Sequence, residues 1–298
     1  MDKTGGNVAR ISLYPSSDEI TLGLRPLLHP LFKAHQRGIS EFTFANIRLF
    51  RGTHNYRLSR LSNDTLVITG ADAEGPFFML PFDLPPEDSL ASLFKDAAYM
   101  KCADEATAAL MTRLGYRAVE DRANFDYLYL RSDQAELAGR RFHKKKNLVN
   151  AFLAAYSCEA KPLIEANVKD ALRLLDMWLA EHGAPGDYEA AKEALVNMEA
   201  LSLCGGIFYV NGEAAAFILG EELGPDVFVI HFEKGVGDYH GLLQYANHRF
   251  AEMLPAKYVY INREQDLADA GLRHSKESYR PAGFVKKFRV FPDRPDAA

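Results

Sequence analysis

Residues 206–235 read GIFYVNGEAAAFILGEELGPDVFVIHFEKG, and three strands follow from that string. Gly206 to Val210, Ala214 to Glu221 and Val227 to Glu233 are apolar runs of strand length, rich in β-branched and aromatic residues. Asn211-Gly212 joins the first two as a hairpin, because both central positions of a type I′ turn need positive φ. Outward from this core, helical spacing predicts helices over Glu165 to Glu181 and Tyr188 to Leu201 before it. A helix from Gly241 to Leu254, a strand at Lys257 to Ile261, a helix from Gln265 to His274 and a strand at Phe284 to Val290 follow it.

The first half repeats that order. An amphipathic helix is predicted from Ser17 to Gln36, kinked at Pro26 and Pro30, with a short segment from Phe42 to Phe50 behind it. Strands at Tyr56 to Leu61, Leu66 to Thr69 and Phe77 to Phe82 come next. A helix near Glu87 to Ala97, a strand at Tyr99 to Cys102, a helix from Asp104 to Leu114 and a strand at Asn124 to Arg131 close the half. Tyr99-Met-Lys-Cys and Tyr258-Val-Tyr-Ile echo each other faintly. Read twice, this is the element order of the acyl-CoA N-acyltransferase fold. The expectation is an α+β (mixed α/β) chain with two tandem domains of that kind, each a mixed, mainly antiparallel sheet flanked by helices. The boundaries expected are an N-terminal domain over 1–135, a basic connecting helix over 136–157, and a catalytic or ligand-binding C-terminal domain over 158–298.

Composition narrows the function classes. In 298 residues, 48% are hydrophobic and 25% charged, which excludes a disordered or collagen-like chain. A formal net charge of -5 gives no global attraction to nucleic acid, so any phosphate binding needs a local basic patch. Cys102, Cys158 and Cys204 stand far apart without metal-ligand or CxxC spacing, which predicts neither a zinc site nor a disulfide framework and fits a reducing cytoplasm. The amino terminus lacks the apolar core of a signal peptide, and no run reaches the ~18 apolar residues of a membrane span.

The basic patch lies between the halves, in GRRFHKKKNLVNAF at 139–152, where Arg140, Arg141, Lys144, Lys145 and Lys146 occur without an intervening acid. Phe142, Val149, Phe152, Leu153 and Tyr156 recur at helical spacing and give this helix one apolar face. Two readings stand for its cations: a solvated outer face, or a surface for a polyphosphate, an RNA backbone or anionic lipid headgroups.

YLYLRSDQAELAGRRFHKKKNLVNAF (127–152), FEKGVGDYHGLLQYANHRFAEML (232–254) and YVYINREQDLADAGLRHSKESYRP (258–281) resemble the family defined by the catalytic C-terminal domain of phosphatidylglycerol lysyltransferase. The resemblance runs from about residue 20 to 292. It implies a tandem pair of N-acyltransferase-like domains that, in the membrane-bound members, moves an aminoacyl group from a charged tRNA to a lipid headgroup hydroxyl. The spanning half of those members has no counterpart in this sequence, which leaves the acceptor open. No resident cofactor is implied. The donor substrate is aminoacyl-tRNA or, as the alternative, acyl-CoA, and the partners are tRNA and anionic lipid headgroups at a membrane surface. A non-catalytic module that binds a nucleotide, RNA or anionic lipid is the other alternative.

Strand alternation places His231 and Glu233 on one face of the third core strand, as candidate proton acceptors. Gly235, Gly237 and Gly241 then precede a helix whose free N–H groups suit a phosphate, although their spacing matches neither a dinucleotide fingerprint nor a Walker sequence. Asn262, Arg263, Glu264 and Asp266 crowd the end of the next strand, with Arg273, Lys276 and Tyr279 soon after. Two readings stand here also. Asn262 caps the following helix, or the cluster clamps a substrate, with Arg263 for a carboxylate or phosphate and Glu264 for an ammonium group. The sequence shows no GxSxG, HExxH or Cys/His nucleophile pattern, and its nine histidines form no ligand spacing. That composition points to direct attack of an acceptor on an activated ester, without a covalent enzyme intermediate or a metal.

Overall fold

The computed structural model describes residues 8–292. They divide into two units: unit 1 holds the chain up to Phe125 together with the segment from Val285 onward, and unit 2 is Asp126–Phe284. Each has one seven-stranded sheet among the described residues.

Unit 1 contains β1 (Asp18–Glu19), β2 (Arg57–Arg60), β3 (Leu66–Asp72), β4 (Gly75–Met79), β5 (Tyr99–Ala103), β6 (Arg117–Glu120) and β14 (Phe288–Phe291), in the order β1-β2-β3-β4-β5-β14-β6. Its helices are α1 (Arg25–Ala34), α2 (Phe44–Leu49), α3 (Arg51–His54), α4 (Glu87–Asp96) and α5 (Glu105–Arg113). The helix predicted from Ser17 begins only at Arg25. Pro26 suits a first helical turn, and Asp18 is drawn away to accept hydrogen bonds from the Ser12 backbone N–H at 2.7 Å and its hydroxyl at 2.9 Å. Asp104 caps α5 by accepting from Thr107 N at 2.7 Å. The core joins Val67, Phe78, Leu90, Leu93, Met100, Met111 and Val290.

Unit 2 contains β7 (Asp126–Leu130), β8 (Cys158–Leu163), β9 (Cys204–Val210), β10 (Glu213–Gly224), β11 (Val227–Gly235), β12 (Tyr260–Asn262) and β13 (Gly283–Val285), in the order β13-β7-β12-β11-β10-β9-β8. Its helices are α6 (Arg131–Glu136), α7 (His143–Ala155), α8 (Glu165–His182), α9 (Tyr188–Val196), α10 (Met198–Leu201), α11 (Leu242–Met253) and α12 (Ala270–Ser278). Phe142, Val149 and Phe152 of the basic segment pack with Phe208, Phe228, Ile230, Tyr245 and Phe250, so that segment belongs to this core. The β11–β12 pair is parallel and lasts three steps, Val227↔Tyr260, Phe228↔Ile261 and Val229↔Asn262. Past Val229, β11 continues without β12 beside it, so the two strands part there.

The last strand of each half lies in the other unit's sheet. The strand read at Asn124–Arg131 was assigned to the first half, yet β7 lies in the sheet of unit 2. The strand read at Phe284–Val290 was assigned to the second half, yet β14 lies between β5 and β6 in unit 1. Buried polar groups decide this, because each must find a partner. Asp126 accepts from Asn262 Nδ2 and Gln265 Nε2 at 3.2 and 3.0 Å, and the Tyr127 and Tyr129 hydroxyls reach Asp266 and the Lys276 carbonyl, all within unit 2. In unit 1, buried Lys287 bonds Glu41, and Arg289 Nε meets Asp121 at 2.8 Å. The chain thus divides at Phe125 and Phe284 rather than at a connector over 136–157.

One residue of β11 has no ladder partner. Leu219 pairs with Phe232 and Gly220 with Ile230, so His231 is the extra residue of a β-bulge. Glu233 then pairs with Ile218, returns to the face of Ile230, and meets α11. The sequence expectation that His231 and Glu233 share a face is corrected by that one residue. Gly220 makes the bulge possible, since a Cβ there would lie 1.9 Å from the Val229 carbonyl oxygen. Gly220→Ala should cost at least about 3 kcal/mol of stability, read as a lower urea midpoint with an unchanged slope; an unaltered midpoint would show that the ladder shifts freely.

Candidate functional site

A polar cluster forms where β11 and β12 part, from three stretches: the second half of β11, the turn after β12, and α12 with Tyr279. The turn is strained. Glu264, Leu267 and Ala268 have φ of 55°, 51° and 63°, which side-chain-bearing residues seldom adopt. Asn262 does not cap a helix here. Its Oδ1 accepts from Glu264 N at 2.8 Å, while Asp269 caps α12 by accepting from Leu272 N at 2.6 Å. The helix predicted to begin at Gln265 therefore starts at Ala270. Buried Asp266 anchors the turn. It receives Arg273 through Nε at 2.8 Å and Nη2 at 2.9 Å, the Tyr127 hydroxyl at 2.6 Å and Ala268 N at 2.9 Å. Burial would raise its pKa, but these donors hold it well below the usual carboxylate range.

His231 is enclosed between two acids. Nδ1 lies 2.8 Å from Glu264 Oε1 and Nε2 lies 3.1 Å from Glu221 Oε1, with the ring fully buried. Burial alone would push the imidazole's pKa down, yet the hydrogen bonds to Glu221 and Glu264 outweigh it and lift the value to about 10. An imidazolium with both nitrogens engaged cannot accept a proton near neutral pH, so the structure corrects the reading of His231 as a base. Glu264 is likewise committed to His231.

On the other face of β11, Glu233 accepts from Asn247 Nδ2 and from Arg263 Nη2, each at 2.5 Å. The guanidinium of Arg263 lies over the Tyr279 ring, 4.9 Å from its centroid. Arg263 Nη1 and the Tyr279 hydroxyl are buried and no third residue hydrogen-bonds either of them, so they have only each other. Burial raises the pKa of that phenol while the Arg263 charge pulls it back down. Lys276 donates to the carbonyl oxygens of Arg263 and Glu264, and burial with the Arg263 charge lowers its pKa to about 8.

The remaining predicted residues part company. Lys145 alone among the basic-run cations is half-buried, while Arg140, Arg141, Lys144 and Lys146 are exposed, and Arg141 pairs with Asp133 at 2.6 Å. Gly237 N donates to Glu181 Oε1 at 3.2 Å, so a carboxylate already meets the loop amide expected to hold phosphate. A Cβ on Gly241 would come within 2.8 Å of the Leu148 carbonyl oxygen, which shows that α7 covers the start of α11. Gly235 packs under Leu242 and Leu243. The glycines therefore serve turn and packing geometry. Sequence reasoning missed Asn247, Glu221, Asp126 and Tyr127. For Tyr127 the signal was there, since hydroxyl-bearing residues in an otherwise apolar strand need buried partners.

Tandem N-acyltransferase-like domains, with a polar cluster where two parallel strands part, define the class. The family model described as phosphatidylglycerol lysyltransferase, C-terminal, matches residues 32–291, and the chain belongs to that family. A conserved protein of unknown function from Bacteroides thetaiotaomicron is 30% identical, with 93% of this chain and 99% of that one covered and a TM-score of 0.84. L-PGS from Bacillus licheniformis shares the fold at 13% identity, with 96% and 94% covered and a TM-score of 0.62. An uncharacterised protein of Mycoplasmoides gallisepticum is 23% identical over 176 residues, and the match spans 55% of each of the two lengths. No helix among the described residues is long and apolar enough to cross a membrane.

His231 supplies a test by titration. Its folded pKa is raised, so its stabilisation is fully present below pH ~6.5 and is lost as pH rises through about 10. Lys145 and Lys276, with lowered values near 8, act with the opposite sign above that pH. Between pH 6.5 and 8, urea unfolding should therefore show stability falling by up to about 1.4 kcal/mol per unit from this group. His231→Gln should abolish that slope and cost about 3–5 kcal/mol, because two buried carboxylates lose their counter-charge. A slope that survives the substitution would show that another group titrates.

Proposed function

We propose that unit 2 transfers an aminoacyl group from an activated ester donor, aminoacyl-tRNA, to a hydroxyl or amine acceptor such as a lipid headgroup, by direct attack. Family membership supports the reaction class, and the observation that carries the site is the buried pair of donors, Arg263 Nη1 and the Tyr279 hydroxyl, which meet each other but no third residue. Native interiors rarely leave such groups without further partners. Fixed donors of this kind are what the oxygen of a tetrahedral intermediate needs, since they are in place before negative charge develops. Glu233, held by Arg263 and Asn247, orients the guanidinium and presents a fixed negative charge to a donor's ammonium group.

Two further features favour this donor over acyl-CoA. Glu181 meets the amide of Gly237, where a pyrophosphate would be repelled by the carboxylate. Exposed Arg140, Lys144 and Lys146 stand on one short segment in an acidic chain and suit an RNA backbone.

Purified protein incubated with charged tRNA and phosphatidylglycerol vesicles should deacylate the tRNA and yield aminoacylated lipid. Tyr279→Phe should lower transfer about 100-fold, in the range seen for loss of one oxyanion donor. It should leave the melting temperature little changed, because the hydroxyl it removes meets only the Arg263 guanidinium in the free protein. Wild-type transfer by Tyr279→Phe would remove the hydroxyl from the mechanism. Turnover of acetyl-CoA with charged tRNA untouched would overturn the donor, and salt-sensitive RNA binding without any turnover would mark a binding module.

A further inference from the structure

Lys145 differs from every other cation of the basic run. Its Nζ lies 3.9 Å from the centroid of the Tyr279 ring, the ring that Arg263 also covers. No carboxylate or carbonyl oxygen among the described residues takes a hydrogen bond or ion pair from it. The charged and titratable groups facing it are Arg263 from the turn after β12, Tyr279 from the end of α12, and Glu233 from β11. Of these only Glu233 is acidic, and its oxygens are taken by Arg263 and Asn247. On its own helix, Lys144 and Lys146 point to solvent.

We infer that Lys145 is the proton acceptor of the transfer reaction, an inference that rests on the reading above. The amine takes the proton of the attacking hydroxyl or amine as the new bond to the donor carbonyl forms. The ammonium so produced returns that proton to the 3′ oxygen of the tRNA as the donor ester bond breaks. No proton is consumed overall, and no further reactant is needed.

The other candidates are spent: His231 is doubly hydrogen-bonded and charged, Glu233 is engaged by two donors, and Lys276 is turned into backbone carbonyls. A lysine meant only to contact phosphate would gain nothing from half-burial beside an arginine, since both effects oppose its charge. What that position does produce is an unpaired amine whose pKa burial and Arg263 push down to about 8. A proton acceptor works best with such a value near the working pH.

Two measurements on the intact chain test this. Competitive acetylation with acetic anhydride from pH 6 to 11, followed by peptide mass spectrometry, should show Lys145 half-reactive near pH 8, well below a free lysine peptide in the same reaction at ~10.4. Arg263→Met should move the Lys145 midpoint upward. An ordinary midpoint for Lys145 in the wild-type protein would overturn the inference without any reference to turnover. The rate of aminoacyl transfer to phosphatidylglycerol vesicles should rise with pH through about 8 and then level. Lys145→Arg keeps the charge but cannot titrate; it should lose at least 100-fold in rate together with the inflection, at an unchanged melting temperature, and Lys145→Met should match it. Full rate in Lys145→Arg would overturn the base and leave a positive charge as the residue's contribution. If the wild-type chain transfers nothing, the functional reading falls and this one with it. If it transfers and Lys145→Arg does too, only the lysine's role falls.

Discussion

Two carboxylates close on one imidazole inside unit 2, and the arrangement of the site depends on that cluster. Glu221 belongs to β10, His231 is the bulged residue of β11, and Glu264 is the first left-handed residue after β12. Non-glycine residues at positive φ cost on the order of 1–3 kcal/mol each, so the turn needs fixed partners to persist. His231 supplies one and the Asp266–Arg273 pair another. Once Glu264 is turned toward His231, its neighbour Arg263 is directed to the opposite side, where Glu233 and Tyr279 receive it. A change of one residue in strand register thus sets which side chains meet.

Charge within the site is distributed unevenly. Three cations, Arg263, Lys276 and Lys145, gather around Glu233, whose oxygens accept from Arg263 and Asn247, while Glu264 and Asp126 act on Lys276 alone of the two lysines. Such a surplus is costly in a partly buried place and has two physical outlets: a lysine loses its proton, or an oxygen-rich substrate arrives. The lowered lysine pKa values are the first outlet in the free protein. The Arg263 Nη1 and the Tyr279 hydroxyl, which meet no third residue, are provision for the second. Both outlets favour a reaction in which a proton leaves a nucleophile while an oxygen gains charge.

Unit 1 shows what the same frame becomes when its charges pair with one another. Lys101-Cys102-Ala103-Asp104 at the end of β5 matches Arg263-Glu264-Gln265-Asp266 after β12. In each the second residue is left-handed, and the closing Asp accepts a backbone N–H, from Thr107 in one and Ala268 in the other. Lys101 meets Asp72 at 3.3 Å, and buried Lys287 meets Glu41. A cation with its counter-charge already in place has little to offer a substrate, which is why the chemistry is assigned to unit 2. The match also moves the sequence echo by three residues, so that Tyr99 corresponds to Ile261 and not to Tyr258.

The element order, the hairpin at Asn211-Gly212 and the apolar face of the basic segment were legible from the sequence, because period-2 and period-3.6 patterns and turn chemistry are local. The residues of the site were legible too, as a polar cluster too dense to leave unpaired. Three things were not. Which sheet receives β7 and β14 depends on partners more than 130 residues away for Asp126 and more than 160 away for Arg289. The bulge at His231 reverses the face of Glu233, and its one local trace, a glycine inside a strand at position 220, does not say on which partner the extra residue sits. The inward turn of Lys145 among five similar cations is set by the Tyr279 ring and Arg263, which arrive from the far end of the unit. Local periodicity therefore determined the fold and the list of polar residues. Tertiary structure decided their pairing, because a buried charge is governed by whichever group the folded chain brings within hydrogen-bond reach.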